Sequence, residues 1–401
     1  MIRLFVNGLA ASAGGGLTYL RNVIPHLAQR DDAHTTILLS PVLQRELTGT
    51  ANVTFVELPE SENVLRRWLR EQTALPGLIR RSGANVLISA GNFALFRSPI
   101  PQILLSRNSL YTSPDFMRDI RNRRDYAIWA DTLVKGWLAR RSIRCADVTV
   151  APSEAFARDL GQWSGREVEA IHHGFDAEAF TSDAAPLPLE VQTRLEEGRD
   201  ALRLLFVSHY NYYRNFEALL RAMPILSHCL QKKVRLYLTC RLTPDANPGS
   251  YRTEAAATLV RDMRTRGDVV ELGSVPYRSL HHLYRACDMY VTPAYAESFA
   301  HPLVEAMSSG LPVVASDLPV HREICGGAAV YFSRFSSEEL AERICQVSES
   351  PDLARDLASA GLRRANDFSW KKHVSQLVER ARNLVPAREK QAGAKQAGTK
   401  Q

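Results

Sequence analysis

Short apolar runs alternate along this chain with longer stretches whose apolar positions recur at helical spacing, and the alternation occurs twice. In the first half, Ile2 to Val6, Thr36 to Leu39, Val53 to Leu58, Val86 to Ser89, Ile103 to Leu105 and Val148 to Ala151 read as strands. Leu17 to Arg30 reads as an amphipathic helix between them. The second half repeats the scheme with strands at Leu202 to Ser208, Val234 to Thr239, Val269 to Leu272, Met289 to Thr292, Pro312 to Ala315 and Ala329 to Phe332. Helical patterns fall at Phe216 to Leu230, Tyr251 to Arg266 and Leu280 to Ala286, another starts behind a cap at Ser336, and a last one covers about Trp370 to Leu384. Strand followed by helix, repeated, argues for an α/β fold with parallel sheets flanked by helices. Two domains are expected, residues 1–185 and 200–365, joined through a Pro-bearing stretch around Asp176 to Gly198. Open parallel sheets bind ligands beyond the carboxyl ends of their strands, so a cleft between two such sheets is the expected site. The polar, low-complexity tail 386–401 is expected to be disordered.

Composition narrows the class without naming a function. With 401 residues, 45% apolar and 23% charged, the chain is an ordinary globular protein long enough for two cores. Its cysteines (Cys145, Cys229, Cys240, Cys287, Cys325 and Cys345) show no Cys-x-x-Cys spacing, which argues against a zinc site or disulfide framework and fits a reducing cytoplasm. Met1 to Gly8 reads as a strand entering a Gly-rich loop rather than as a signal peptide. No apolar run approaches the ~18 residues a membrane span requires. A cytoplasmic location is expected.

The formal net charge of +7 suits an anionic partner. Between Arg118 and Arg144, arginines interleave with Tyr126, Trp129, Leu133, Val134 and Trp137; a second basic stretch runs from Arg66 to Arg81. Such helices can lie on anionic lipid at the inner face of a plasma membrane, or pack their apolar stripe inward and leave the charges solvated. Nucleic acid is not expected as a partner, because no recognition motif accompanies the charge.

The densest chemistry lies in Glu297-Ser-Phe-Ala-His-Pro-Leu-Val-Glu305-Ala-Met-Ser-Ser-Gly310-Leu-Pro-Val-Val-Ala-Ser-Asp317. Eight helical positions turn through about 800°, so Glu297 and Glu305 would not share a helix face. Pro302 favours a first helical position and Gly310 a left-handed cap, which predicts a helix from Pro302 to Ser309 with Glu297 in its entry loop. Backbone N–H groups from Ala300 to Leu303 would then form an anion site between two acids. A phosphorylated ligand with hydroxyls at both ends, such as a nucleotide sugar, suits that arrangement. The full string resembles the signature of the retaining GT-B glycosyltransferases of family 4, with Ala300 and His301 where the family carries Gly-Leu.

That resemblance implies two Rossmann-like domains whose parallel sheets face across a cleft, with a C-terminal helix, here 366–385, packing back on the first domain. It implies that Glu305 holds the donor ribose and that Phe299, Ala300 and His301 line the donor site. Glu297 would act on the donor sugar, by positioning it or by steadying the transition state. Phe206 to Glu217 resembles the family's phosphate-gripping segment, with His209 at the usual Arg position and Arg214 at the usual Lys position. Gly14-Gly15-Gly16 resembles the family's Gly-Gly loop, placing Gly15 and Gly16 against the donor. Val275 falls in the segment that touches the base through main-chain groups, with Tyr277 open to either stacking or partial burial. Arg107 and Asn108, after a first-domain strand, are candidates for contacting acceptor or sugar. Ser153 is as readily an N-cap as a contact, and Gly174 with Asp176 reads as structural.

The implied activity is retaining transfer of a sugar from a UDP- or GDP-linked donor to a hydroxyl on a glycan or lipid-linked acceptor, in surface polysaccharide or lipid-linked oligosaccharide synthesis. No cofactor and no metal are expected, since a basic site can neutralise a leaving diphosphate. Two rivals are a nucleotide-sugar epimerase of the same fold and a catalytically silent nucleotide-sugar-binding or membrane-scaffold protein.

Overall fold

The computed structural model describes residues 1–10, 14–39, 49–58, 64–182, 184–243 and 251–397. They form two compact units. The first comprises Met1–Thr112, Asp131–Gly174 and Ser369–Gln401, the second Ser113–Ala130 and Phe175–Phe368. Residues 113–130 and 175–185, which a simple division of the sequence places with the first domain, thus group with the second.

The first unit holds β1 (Ile2–Asn7), β2 (Ala33–Leu38), β3 (Val53–Val56), β4 (Val86–Ser89), β5 (Gln102–Leu105), β6 (Val148–Ala151) and β7 (Glu169–Ala170). All pairings are parallel, in the order β3-β2-β1-β4-β5-β6-β7. Alternation along β1 divides the core. Leu4 and Val6 pack with Leu20 and Val23 of the Gly14–Ala28 helix and with Val374, Leu377 and Val378 of the Trp370–Ala397 helix. Phe5 faces the other way, onto Leu75 and Ile79 of the Val64–Ser82 helix. Burying each such side chain is worth about 1.5–3 kcal/mol, enough to dictate the register of the strand.

Three local readings change here. The glycines after β1 form the first turn of the Gly14–Ala28 helix rather than a loop before it, because the packing of Tyr19 and Leu20 outweighs glycine's poor propensity. β2 begins at Ala33, since His34 and Thr35 pair with Arg3 and Leu4 although they interrupt the apolar run. The last helix continues to Ala397 through the stretch whose composition predicts disorder; Ala, Lys and Gln are low in complexity but strong helix formers. Residues 398–401 of that expected tail lie outside the described residues. Gly174 is fixed by space: a Cβ there would lie 2.0 Å from the Trp370 amide nitrogen.

The second unit holds β8 (Leu202–Phe206), β9 (Val234–Leu238), β10 (Val269–Glu271), β11 (Met289–Thr292), β12 (Val313–Ser316) and β13 (Ala329–Phe332). The order is β10-β9-β8-β11-β12-β13, again parallel throughout. β11 and β12 are buried at every position, as expected of strands covered on both faces. The supposed connection Asp176 to Gly198 is no plain linker. It carries helices Ala177–Ser182 and Leu189–Glu196 and belongs to this unit, with the Phe180 ring 5.6 Å from that of Tyr277. The Pro114–Asn122 helix also joins this unit, capped by Ser113, and Arg334 binds its Asp115. Both sheets are Rossmann-like, and in each the strand order reverses beside the first strand, between β1 and β4 and between β8 and β11.

Candidate active site

The switch point of the second sheet gathers most of the expected residues. The loop after β8 ends in a short turn, Tyr212–Arg214, closed by Asn215 in the left-handed region at φ 54°. The Asn215 amide donates to the Pro293 and Arg334 carbonyls at 3.2 and 2.7 Å, pinning the turn to the loops after β11 and β13. Tyr295 N–H donates to the Tyr213 carbonyl at 2.9 Å and makes a second tie. Arg214 from one loop and Glu297 from the other consequently meet as a close ion pair, with side chains 20% and 9% exposed. The Arg214 Nε–H is buried and has no partner among the described residues, so this guanidinium retains donor capacity.

The His301–Ser308 helix follows directly. It starts one residue before Pro302, and Gly310, at φ 71°, follows its end as expected. Its N-cap, Ala300, sits at φ 67° and ψ 63°, and its side chain cannot cap the first turn. The positive end of the helix dipole, which no side chain caps, can therefore serve an anion. Glu305 lies one turn along, 6% exposed, and its Oε2 accepts from the Tyr284 hydroxyl at 2.9 Å. Burial pushes the Glu305 carboxyl up to about 7, and the Tyr284 hydrogen bond opposes the rise.

Other expected residues take distinct places. His209 is exposed on the β8 loop, with its main-chain carbonyl accepting from Ser208 Oγ at 2.9 Å. Val275 is half-buried in the loop after β10, and Tyr277 is 50% exposed. Phe299 is 2% exposed, its ring 4.8 Å from that of His301 and 5.4 Å from that of Phe368, so it anchors the entry loop in the core.

In the first unit, Arg107 emerges after β5 and donates from Nη2 to the Ala90 carbonyl beyond β4, while its guanidinium lies 4.5 Å over the Tyr19 ring. The amide of Arg107 donates to Asn92 Oδ1 at 2.7 Å. Its buried Nη1 has no partner among the described residues. Asn108 is the N-cap of the Ser109–Tyr111 turn, accepting from the Leu110 amide at 3.0 Å. Ser153 likewise caps the Glu154–Ser164 helix. Gly15 has open space around its Cβ position at the start of its helix, and Gly16 follows in the same turn. Tyr19, beneath Arg107, also faces His373, whose Nδ1 lies 2.8 Å from the His172 carbonyl. That contact puts the proton on Nδ1, so Nε2 accepts from the Tyr19 hydroxyl at 2.9 Å.

Comparison with known proteins agrees with this fold. The family profile "Glycosyl transferases group 1" matches residues 192–364, and "Glycosyltransferase Family 4" matches residues 13–179. The chain belongs to the family 4 glycosyltransferases of GT-B fold. It is 35% identical to the O-antigen chain mannosyltransferase B of Escherichia coli over 30% of this chain and 32% of that protein. It is 28% identical to the D-inositol 3-phosphate glycosyltransferase of Thermobispora bispora over 58% of this chain and 55% of that one. The matched stretches thus span about a third to just over half the length of those relatives. Solved structures with the same fold include a sucrose-phosphate synthase from Thermosynechococcus elongatus (TM-score 0.76, 16% identity, 96% of this chain and 100% of that one). Another is HepE of Anabaena in complex with UDP-glucose (TM-score 0.68, 19% identity, 96% and 100% covered).

Against the family 4 pattern, the departures acquire physical meaning. The usual Gly at position 300 matches a left-handed backbone, and here Ala occupies that backbone at a cost of roughly 1–2 kcal/mol. Arg214 replaces Lys with a forked donor set, which suits a diphosphate as well as the Glu297 carboxylate. Sequence reasoning passed over Tyr284, Tyr295 and Asn215, which build the site from beneath. Their signal is weak because a tyrosine or asparagine in an ordinary helix or turn does not show what its side chain will reach.

Proposed function

We propose that this chain is a retaining glycosyltransferase, moving a sugar from a UDP- or GDP-linked donor to a hydroxyl of a glycan or lipid-linked acceptor. The observation that carries the reading is the meeting of Arg214 and Glu297 at the second switch point, beside the Ala300 cap and the buried Glu305. In the unliganded protein Glu297 occupies the Arg214 guanidinium. A donor diphosphate would compete for that guanidinium with charge-assisted hydrogen bonds, assisted by His209 and the amides of Ala300 and His301. Glu297 is then released towards the donor sugar, where it orients the hydroxyls or steadies positive charge at the anomeric carbon. Glu305 accepts from the ribose hydroxyls. With cationic and N–H donors on the diphosphate, the reading calls for neither metal nor cofactor.

The setting we propose is assembly of surface polysaccharide or lipid-linked oligosaccharide on the cytoplasmic side of an anionic membrane. The E. coli relative is named for an O-antigen chain, and no described helix here is long and apolar enough to cross a membrane. The deciding experiment is a thermal-shift panel with UDP, GDP, ADP and TDP on the wild type and on Glu305→Ala. Stabilisation by one nucleotide, lost in the variant, supports the reading. No stabilisation by any of them would defeat it. Product mass after incubation with a matching nucleotide sugar separates transfer from epimerisation.

A further inference from the structure

The second unit contains a polar cavity of about 430 Å³ whose lining includes the Pro114–Asn122 helix, the start of the Phe216–Cys229 helix, Tyr295 and Phe335. It borders the proposed donor site without sharing its acids: Asn215, on its wall, directly follows Arg214. Its inner end is built from Asp119, Arg123 and Glu217. Arg123 donates from Nε to Asp119 Oδ1 and from Nη1 to Glu217 Oε1, both at 2.9 Å. The Tyr295 hydroxyl donates to Asp119 Oδ2 at 2.7 Å, and that of Tyr210 to Glu217 Oε1 at 2.9 Å. One cation therefore serves two carboxylates, and the inner end carries negative charge in excess.

Glu217 is 3% exposed, and its Oε2 accepts no hydrogen bond from the described residues. A buried carboxylate oxygen left bare costs on the order of 1–3 kcal/mol or more, so this one calls for a donor. The outer end has the opposite character. Arg221 is exposed and has no ion-pair or hydrogen-bond partner among the described residues. Arg118 is 70% exposed and shares Asp115 with Arg334. Positive charge is in excess there.

We infer that this cavity is a second binding site, for a small zwitterion that places an ammonium against Glu217 and a phosphate or carboxylate between Arg118 and Arg221. A simple anion leaves Oε2 bare, and a simple amine leaves the outer arginines unmatched. The same chemistry is offered by a free metabolite or by an ethanolamine phospholipid headgroup.

Phosphoethanolamine is the probe, read by thermal shift on the full chain with UDP present, against inorganic phosphate, ethanolamine and phosphocholine. Phosphoethanolamine should raise Tm saturably by about 2–4 °C, well beyond phosphate or ethanolamine alone. Phosphocholine, with no N–H for Glu217, should do markedly less. Arg221→Ala, on an exposed helix face, should cut the response at least fivefold without lowering basal Tm, and Glu217→Gln should cut it by removing the carboxylate charge. Equal shifts with phosphate and phosphoethanolamine, or none with any probe, overturn the proposal, as does an undiminished response in Arg221→Ala. Binding of the free probe without retention on vesicles containing phosphatidylethanolamine names a metabolite source. Retention on those vesicles as well, lost in Arg221→Ala, names the lipid.

Discussion

The Tyr284 hydroxyl donates to Glu305 Oε2 over 2.9 Å, from one helix of the second unit to the next. The bond favours the ionised carboxylate in a place where burial disfavours it. Glu305 is thereby held ready to accept from a ligand hydroxyl at its other lone pairs. Tyr284→Phe should leave the fold intact and push the Glu305 carboxyl higher. Donor KM should rise about 3–10-fold at pH 7 with little change in kcat, the equivalent of one hydrogen bond of 0.5–1.5 kcal/mol. Unchanged KM would mean that Glu305 does not touch the donor.

The same carboxyl makes stability depend on pH. Its folded-state value of about 7 lies above its ordinary 4.5, so the folded state holds the proton more tightly than the unfolded chain does. The associated stability is complete below pH 4.5 and is lost as pH rises through 7. The span corresponds to roughly 3 kcal/mol at most. Glu305→Gln keeps the shape and removes the titration. Without donor, its unfolding free energy should exceed that of wild type above pH 7 by roughly 1–3 kcal/mol, with the gap closing towards pH 5. Denaturant melts of both proteins across that range check the sign; a gap that widens on acidification would refute it.

Arg214 and Glu297 should fail together. Arg214→Ala removes the proposed phosphate donor and leaves a nearly buried Glu297 without its counter-ion. Transfer activity should fall about 10²–10³-fold, and Arg214→Lys should recover part of it by restoring charge without the fork. Glu297→Gln should lower kcat more than it raises KM. Steady-state kinetics on the three variants distinguish this from a purely structural ion pair, which would move stability and leave kcat alone.

Much of this site was legible in the sequence, because the motif around Glu297 and Glu305 is local in the chain. The His301–Ser308 helix and both strand sets rest on local signals, such as Pro302 and Gly310 at the helix ends, whose backbone preferences are strong. What stayed hidden depends on contacts distant in sequence. Tyr19 and His373 are 354 residues apart and Asp119 and Tyr295 are 176 apart, and nothing in either neighbourhood announces the partner. The assignment of residues 113–130 to the second unit is of the same kind, resting on Arg334 to Asp115 and Arg123 to Glu217. Short strands such as Glu169–Ala170 carry too few residues for any period to show.

Ala300 offers a test of backbone strain. A non-glycine residue at φ 67° is penalised, whereas glycine occupies that region freely. Ala300→Gly should stabilise the protein by about 0.5–1 kcal/mol, the relief of strain outweighing the added freedom of the unfolded chain. Substitution by Val should destabilise it by more than that. A denaturant midpoint that falls in Ala300→Gly would show that the Ala methyl contributes packing, consistent with its 8% exposure, and that the strain account is wrong.

The Tyr126–Cys145 helix bears on the membrane setting. Tyr126, Leu133, Val134 and Trp137 are 64, 46, 60 and 65% exposed, and at about 100° per residue they form one stripe. Arg141 and Arg144, also exposed, extend that stripe towards the helix end. Lys135 points away and pairs with Asp131 at 2.6 Å. The apolar face is therefore turned to solvent, with cations beside it, which is the arrangement an anionic bilayer surface would hold. The Val64–Ser82 helix differs, since Leu75 and Ile79 bury its stripe in the first core. The protein should sediment with phosphatidylglycerol vesicles at low salt and much less with phosphatidylcholine. Val134→Ser with Trp137→Ala should weaken that partition about tenfold through lost apolar burial, and Arg66→Ala should change it little. Wild-type protein that stays in the supernatant over phosphatidylglycerol would remove the membrane from the proposed setting while leaving the donor site untouched.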